Sequence, residues 1–255
     1  MTVYMCEGSF EGILCGVYDA WMSKKGHEHV RLELEGYGNM ELFCTYESVV
    51  SDTKKAEKVI SSIRKKLSEQ VYEQVYEQVY FASLSHREDR ADRIYRFLVD
   101  AFRYGKPILS MLHLPSVFGL FELCRFVEHE NHQLTGFLRF SRTEQGVLIS
   151  RIGPKSDVLP LLAVHFSDRL PSEHWLIYDE KRKYAVIHPA DKAWYILRED
   201  EERWLENLEW KTDEEEYAAL WKLFHQNIAI PERINRRCQM NHLPVRYRPY
   251  MTEFS

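Results

Sequence analysis

Cysteine is sparse in this chain and never sits at metal-ligand spacing: Cys6, Cys15, Cys44, Cys124 and Cys238 are five, an odd number, with no CxxC. Neither a zinc ribbon nor a cysteine-bound iron–sulfur cluster has its ligands here, and the five read as buried or incidental thiols of a reducing compartment. Long apolar runs are missing as well. None approaches the roughly 20 residues that cross a bilayer, and MTVYMCEGSF has no basic stretch followed by an apolar one, so no membrane is expected and the cytoplasm is the expected compartment. The chain lacks GxxxxGK(S/T) for a nucleoside triphosphate and GxGxxG after a strand for a dinucleotide, so no cofactor is expected from its own motifs. Glycine and proline are few, 11 and 9 in 255 residues at 45% hydrophobic content, so the chain can bury a real core in one large or two small domains.

What is present is segregated charge. The formal net charge is −5, and the acids concentrate between Glu199 and Glu216, which reads as a solvated loop leading into a helix with Asp213 to Glu216 at its N-terminus. The sharper alternative is that this run shields a basic face. That face is the island from Arg233 to Tyr250, whose arginines Arg233, Arg236, Arg237, Arg246 and Arg248 are joined by no lysine and no acid. An all-arginine set interleaved with His242, Tyr247 and Tyr250 suits a nucleic-acid backbone, although arginine also caps helices and pairs with acids inside a domain.

Periodicity sketches the elements. Val3 to Cys6 reads as a strand, Ser9 to Ser23 as a helix capped by Ser9, and His29 to Glu35 as a half-exposed strand. Thr53 to Tyr104 is helical, and its VYEQVYEQVY repeat forms a slanted packing stripe. SLSHREDRADR, Ser83 to Arg93, is the most polar interruption and marks a loop or a soft boundary between 1–85 and 90–255 within a single family-wide unit. Val117 to Glu130 reads as a helix, and Gln133 to Ser141 and Val147 to Ile152 as a hairpin turning at TEQG. Asp157 to Phe166 reads as helix, and strands follow at Trp175 to Tyr178, Tyr184 to His188 and Ala193 to Leu197. Short connections favour antiparallel pairing, so the expected class is α+β, a central antiparallel sheet with helices at both ends.

Three constellations carry chemistry. Glu130 and His132, two apart on a strand or at its entry, share a face, so Glu130 can orient His132 while Arg139 ligates an anion; the same pair can equally fix a helix-to-strand junction. His165, Asp168 and Arg169 form a charged set on one helix face, or a plain ion-pair network. His129 and His132, flanked by Glu128 and Glu130, lack the spacing of HExxH and a third ligand, so no metal is expected. IHPA at Ile187 to Ala190 looks like a glycosylase element but has no Gly-rich water-activating loop beside it.

EHENHQLTGFLRF at Glu128 to Phe140, GPKSDVLPLLAVHFSDRL, WLIYDEKRKYAVI, IAIPERINRRCQMNHLPVRY and the opening VYMCEGSFEGIL together resemble a bacterial family called "probable DNA metabolism protein". The resemblance spans nearly the whole chain, departing at Gln133, where a basic residue is usual. It implies likeness to the N-terminal part of some uracil-DNA glycosylase-like fusion proteins and a gene neighbour encoding a DNA-repair radical SAM protein. The expectation is therefore a DNA-associated accessory or binding protein acting with a radical SAM partner. The alternative is a metal-independent nuclease-like or glycosylase-like enzyme using Glu130, His132 and Arg139.

Overall fold

Strand β1, Thr2–Cys6, is buried at four of its five positions, as suits a strand covered on both faces. The computed structural model describes residues 1–37, 40–198, 215–228 and 235–254. In it β1 lies between β2 (Val30–Leu34) and β3 (Thr45–Ser48), parallel to both. Helix α1, Phe10–Met22, starts where expected: the Ser9 hydroxyl accepts from the Gly12 N–H at 3.0 Å, satisfying one of the orphan donors of the first turn. Gly16 lets this helix approach the sheet, since a Cβ there would come within 3.0 Å of Leu32 and 3.2 Å of Cys6.

The helical stretch resolves into α2 (Thr53–Lys66), α3 (Glu69–Ser83) and α4 (Arg90–Tyr104). The VYEQ repeat behaves as a slanted stripe: Val75 and Val79 are in the core, while Tyr76 and Tyr80 meet the Phe10 ring edge-on at 5.6 and 5.5 Å. On α4 the buried Ala91, Ile94, Tyr95, Leu98 and Ala101 recur every three or four residues, one face of a 3.6-residue helix. The polar interruption is stitched inward, with Asp89 bridging Arg87 and Arg93 and Arg90 donating to the Gly8 carbonyl at 3.0 Å.

The chain divides into two compact units, Met1–Glu128 and His129–Ser255, with the interruption inside the first. Helix α5, Pro115–Phe137, runs through the division. The second unit holds a five-stranded mixed sheet, β4 (Ser141–Arg142), β5 (Leu148–Ile152), β6 (Trp175–Asp179), β7 (Tyr184–His188) and β8 (Tyr195–Leu197), in sequence order. Helix α6, Leu159–Arg169, packs on β6 and β7. Helices α7 (Glu215–Ile228) and α8 (Arg236–His242) complete the unit among the described residues. Residues 199 to 214 of the acidic run lie outside them, as does Arg233; its last two acids, Glu215 and Glu216, fall in α7.

The α+β class holds, and two expectations need correction. The sheets are not purely antiparallel: the three-stranded sheet is parallel throughout, and β5 pairs with β6 in parallel. The reason is that α6 sits between β5 and β6 in sequence and supplies the crossover a parallel pair requires, whereas β6, β7 and β8 are joined by short links and pair antiparallel. The expected strand Gln133 to Ser141 is mostly helix. α5 continues through it to Phe137 and only Ser141–Arg142 pairs, through a turn at TEQG whose Gly146 has φ 82°. Buried Val117, Leu120, Cys124, Val127, Glu130, Leu134 and Leu138 keep the helical period across the supposed junction. Among the described residues no helix is long and apolar enough to cross a membrane.

Candidate nucleic-acid interface

Glu130 occupies a core position of α5, with its side chain only 4% exposed. Such a charge persists only if it is paired. The backbone N–H groups of Lys155 and Ser156, in the loop before α6, donate to its two oxygens at 2.8 and 2.7 Å. From the C-terminal turn Val245–Tyr250, Arg246 Nη2 and the Tyr247 hydroxyl donate to Oε1 at 3.2 and 3.1 Å, and Arg246 also donates to the Tyr247 oxygen at 2.8 Å. Burial by itself raises the Glu130 carboxyl, but the two backbone donors and the Arg246 charge outweigh it and hold the group below its ordinary range. Glu130 is a clasp joining three segments of the second unit, and none of its hydrogen bonds among the described residues is to His132.

The helix explains why that pair fails to meet. Residues two apart on a strand share a face, but on α5 they are about 200° apart, so Glu130 is buried and His132 exposed. Arg139 is likewise engaged. Its Nε and Nη2 grip the buried Glu253 carboxylate at 3.3 and 2.7 Å, and Nη1 donates to the carbonyls of Gly136 and Leu138 at 3.0 and 3.2 Å. It closes the C-terminal end of α5.

What the fold does bring together is a groove of about 700 Å³ at the end of α5. His129, His132, Gln133, Gly136 and Phe137 line it from α5, His165, Phe166 and Arg169 from α6, and Asn241 and His242 from α8, with Arg139 and Phe140 between. Four imidazoles and two guanidiniums meet there, and among the described residues no carboxylate lines the groove. Asp168 is exposed and outside it, and no ion pair among the described residues joins His165, Asp168 and Arg169. Among the described residues no three His, Cys, Asp or Glu side chains are placed to hold a metal ion. The groove offers hydrogen-bond donors to an anion over a partly apolar floor.

The arginine island splits by position. Arg236 and Arg237 are exposed on α8, which Asn235 caps by accepting from the Cys238 N–H at 3.0 Å. Arg246 is committed to Glu130, and the Arg248 guanidinium lies over the Phe254 ring at 5.1 Å. Tyr247 is an anchor, 1% exposed. His188 of the IHPA segment is a core histidine, stacked on Trp175 at 4.9 Å with ring planes 4° apart. Sequence reasoning weighed His129 only as a metal ligand and Gln133 only as a departure from the family pattern, and it passed over Asn241. The signal for the first two was the spacing 129, 132, 133, 136, one helix face once the segment is read as helix.

No curated protein matches the chain. A family model described as a domain of unknown function, DUF4130, matches residues 88–253, more than half of the sequence and all of the groove, and the chain belongs to that family.

Proposed function

We propose that this protein is a DNA-associated binding protein whose second unit receives a phosphate backbone in the α5–α6–α8 groove. One observation carries the reading: in a chain of net charge −5, the groove gathers His129, His132, His165, His242 and Arg169 with no carboxylate in its lining among the described residues. Exposed Arg236 and Arg237 extend the cationic surface along α8. Phosphate contacts from such side chains position a strand without reading its sequence. The likeness to DNA metabolism proteins supports DNA as the nucleic acid and an accessory role beside a radical SAM partner, to which any iron–sulfur chemistry belongs. An acid–base enzyme built on Glu130 has no support from the geometry, because every contact of that carboxylate is structural.

Binding to single-stranded DNA, duplex DNA and RNA across a salt series tests the proposal. Affinity falling steeply with salt, with a slope that Arg169→Ala flattens by up to about one unit, is the expected result. Salt-independent binding, or none to any nucleic acid, would end it.

A further inference from the structure

Within the groove Gln133 is anomalous. The residue is 6% exposed and its Oε1 is fully buried without a hydrogen-bond partner, and no hydrogen bond of its amide occurs among the described residues. A buried amide left unpaired destabilises a fold, so it is normally paired with protein, water or a ligand. Around it the wall offers the half-buried rings of Phe137 and Phe140, the side chain of Asn241, and an open floor at Gly136, where an added Cβ would meet nothing within 4 Å. The volume of about 700 Å³ is that of a small-molecule site and far exceeds what a phosphate needs.

We infer that the groove takes an unpaired base as well as its phosphate, the Gln133 side chain turning out of its buried position so that its amide hydrogen-bonds the polar edge of that base. The inference rests on the nucleic-acid reading above and deepens it. A carboxamide presents one donor and one acceptor side by side, the complement of a base edge, adenine above all, and a groove wall of apolar rings accepts a base face. A base stacked in a duplex exposes neither its face nor its pairing edge, so the preferred ligand is single-stranded DNA or a nucleotide extruded from the stack. At the rim the Arg169 guanidinium and the ring N–H groups of His165 and His242 then meet the flanking phosphates.

The structure also sets an unusual sign on stability. Replacing Gln133 by leucine removes an unpaired buried amide and keeps the volume, so it leaves the melting temperature unchanged or raises it, whereas a residue holding the fold together would lower it.

The test uses the full chain and three probes of equal charge: a single-stranded oligodeoxyadenylate, the same backbone carrying abasic residues throughout, and duplex DNA. Deoxyadenosine monophosphate is the fourth arm and separates a free nucleotide from a strand. The expected result is that oligodeoxyadenylate binds about tenfold more tightly than the abasic strand. Gln133→Leu abolishes that difference, without a loss of melting temperature and without a change in salt slope. Gln133→Glu, an isostere without the donor, gives the same loss. Equal binding of the base-bearing and abasic strands by the wild type overturns the inference and leaves the phosphate reading standing. If no strand binds, both fall. Tighter binding to polyglutamate than to any strand marks the groove as an acidic-peptide site and overturns the inference too.

Discussion

The Tyr247 hydroxyl stands 3.1 Å from Oε1 of Glu130, 117 residues earlier in the chain, and both side chains are buried. The contact fastens the Val245–Tyr250 turn to α5. With the Lys155 and Ser156 N–H groups on the same carboxylate, it ties α5, which lines the groove, to the loop before α6 and to the turn after α8.

Removing the carboxylate strands two backbone donors, a guanidinium and a phenol at once. Glu130→Ala is expected to cost about 3 kcal/mol, the range for breaking a buried ion pair. Tyr247→Phe, which deletes one hydrogen bond and keeps the ring, costs about 1 kcal/mol and lowers the melting temperature by about 3 °C. Denaturant titration of both variants checks the order; a Tyr247→Phe loss as large as the Glu130→Ala loss contradicts the clasp.

Acid sensitivity follows from the same group. The folded-state pKa of Glu130 lies below its unfolded value, so its contribution is in place above about pH 4.3 and lost as the pH falls through the folded value. Glu253, held down by its bond to Arg139 against the opposing effect of burial, adds in the same direction. Asp179, pushed up by burial, works the other way and offsets part of the loss. Stability measured from pH 6 downward (about the centre of the usual optimum) should fall in the wild type, and Glu130→Gln should be less stable with a shallower acid limb.

Arg139 and Arg169 line the same groove and should respond differently. Arg139→Ala breaks the Glu253 grip and uncaps α5, so it lowers stability by about 2 kcal/mol. Arg169→Ala, at an exposed position without an ion pair among the described residues, leaves stability within about 0.5 kcal/mol and reduces DNA affinity. Thermal melts beside a salt-series binding assay distinguish them. Reversed phenotypes would transfer the anion contact to Arg139.

Thiol reactivity reports burial independently. Cys6 and Cys124 are buried, and desolvation pushes both thiols up to about 12, which removes the thiolate that alkylation needs. In the native protein Cys238, exposed on α8, should be modified first and Cys44 next; Cys6 and Cys124 should react only after unfolding. Mass spectrometry of iodoacetamide-treated protein reads the order directly, and early labelling of Cys6 would contradict the packing of β1.

Much of the fold was legible locally. Ser9 as a helix cap, the β2 alternation, the amphipathic face of α4 and the turn at Gly146 each follow from a few adjacent residues, because caps, face periodicity and positive φ are local properties. The α5 extension was legible too, from the seven- and four-residue spacing of Val127, Leu134 and Leu138, but short apolar patterns suit strand and helix alike. Reading that stretch as a strand or its entry put Glu130 on the face of His132 and kept His129 and Gln133 from being grouped with His132 on one helix face.

By itself the sequence determined composition-level facts: five cysteines without metal-ligand spacing, charge held apart along the chain, an α+β mixture and a cluster of arginines between Arg233 and Arg248. Only the tertiary structure decided which of those side chains are spent on the fold. Arg246 and Arg139 read alike from sequence as candidate anion ligands, yet each faces a buried glutamate far along the chain, and a charge near a buried partner pairs with it before it meets solvent or ligand. His132, His165, His242 and Arg169 share a wall because α5, α6 and α8 converge there, a proximity set by long-range packing that no local spacing encodes.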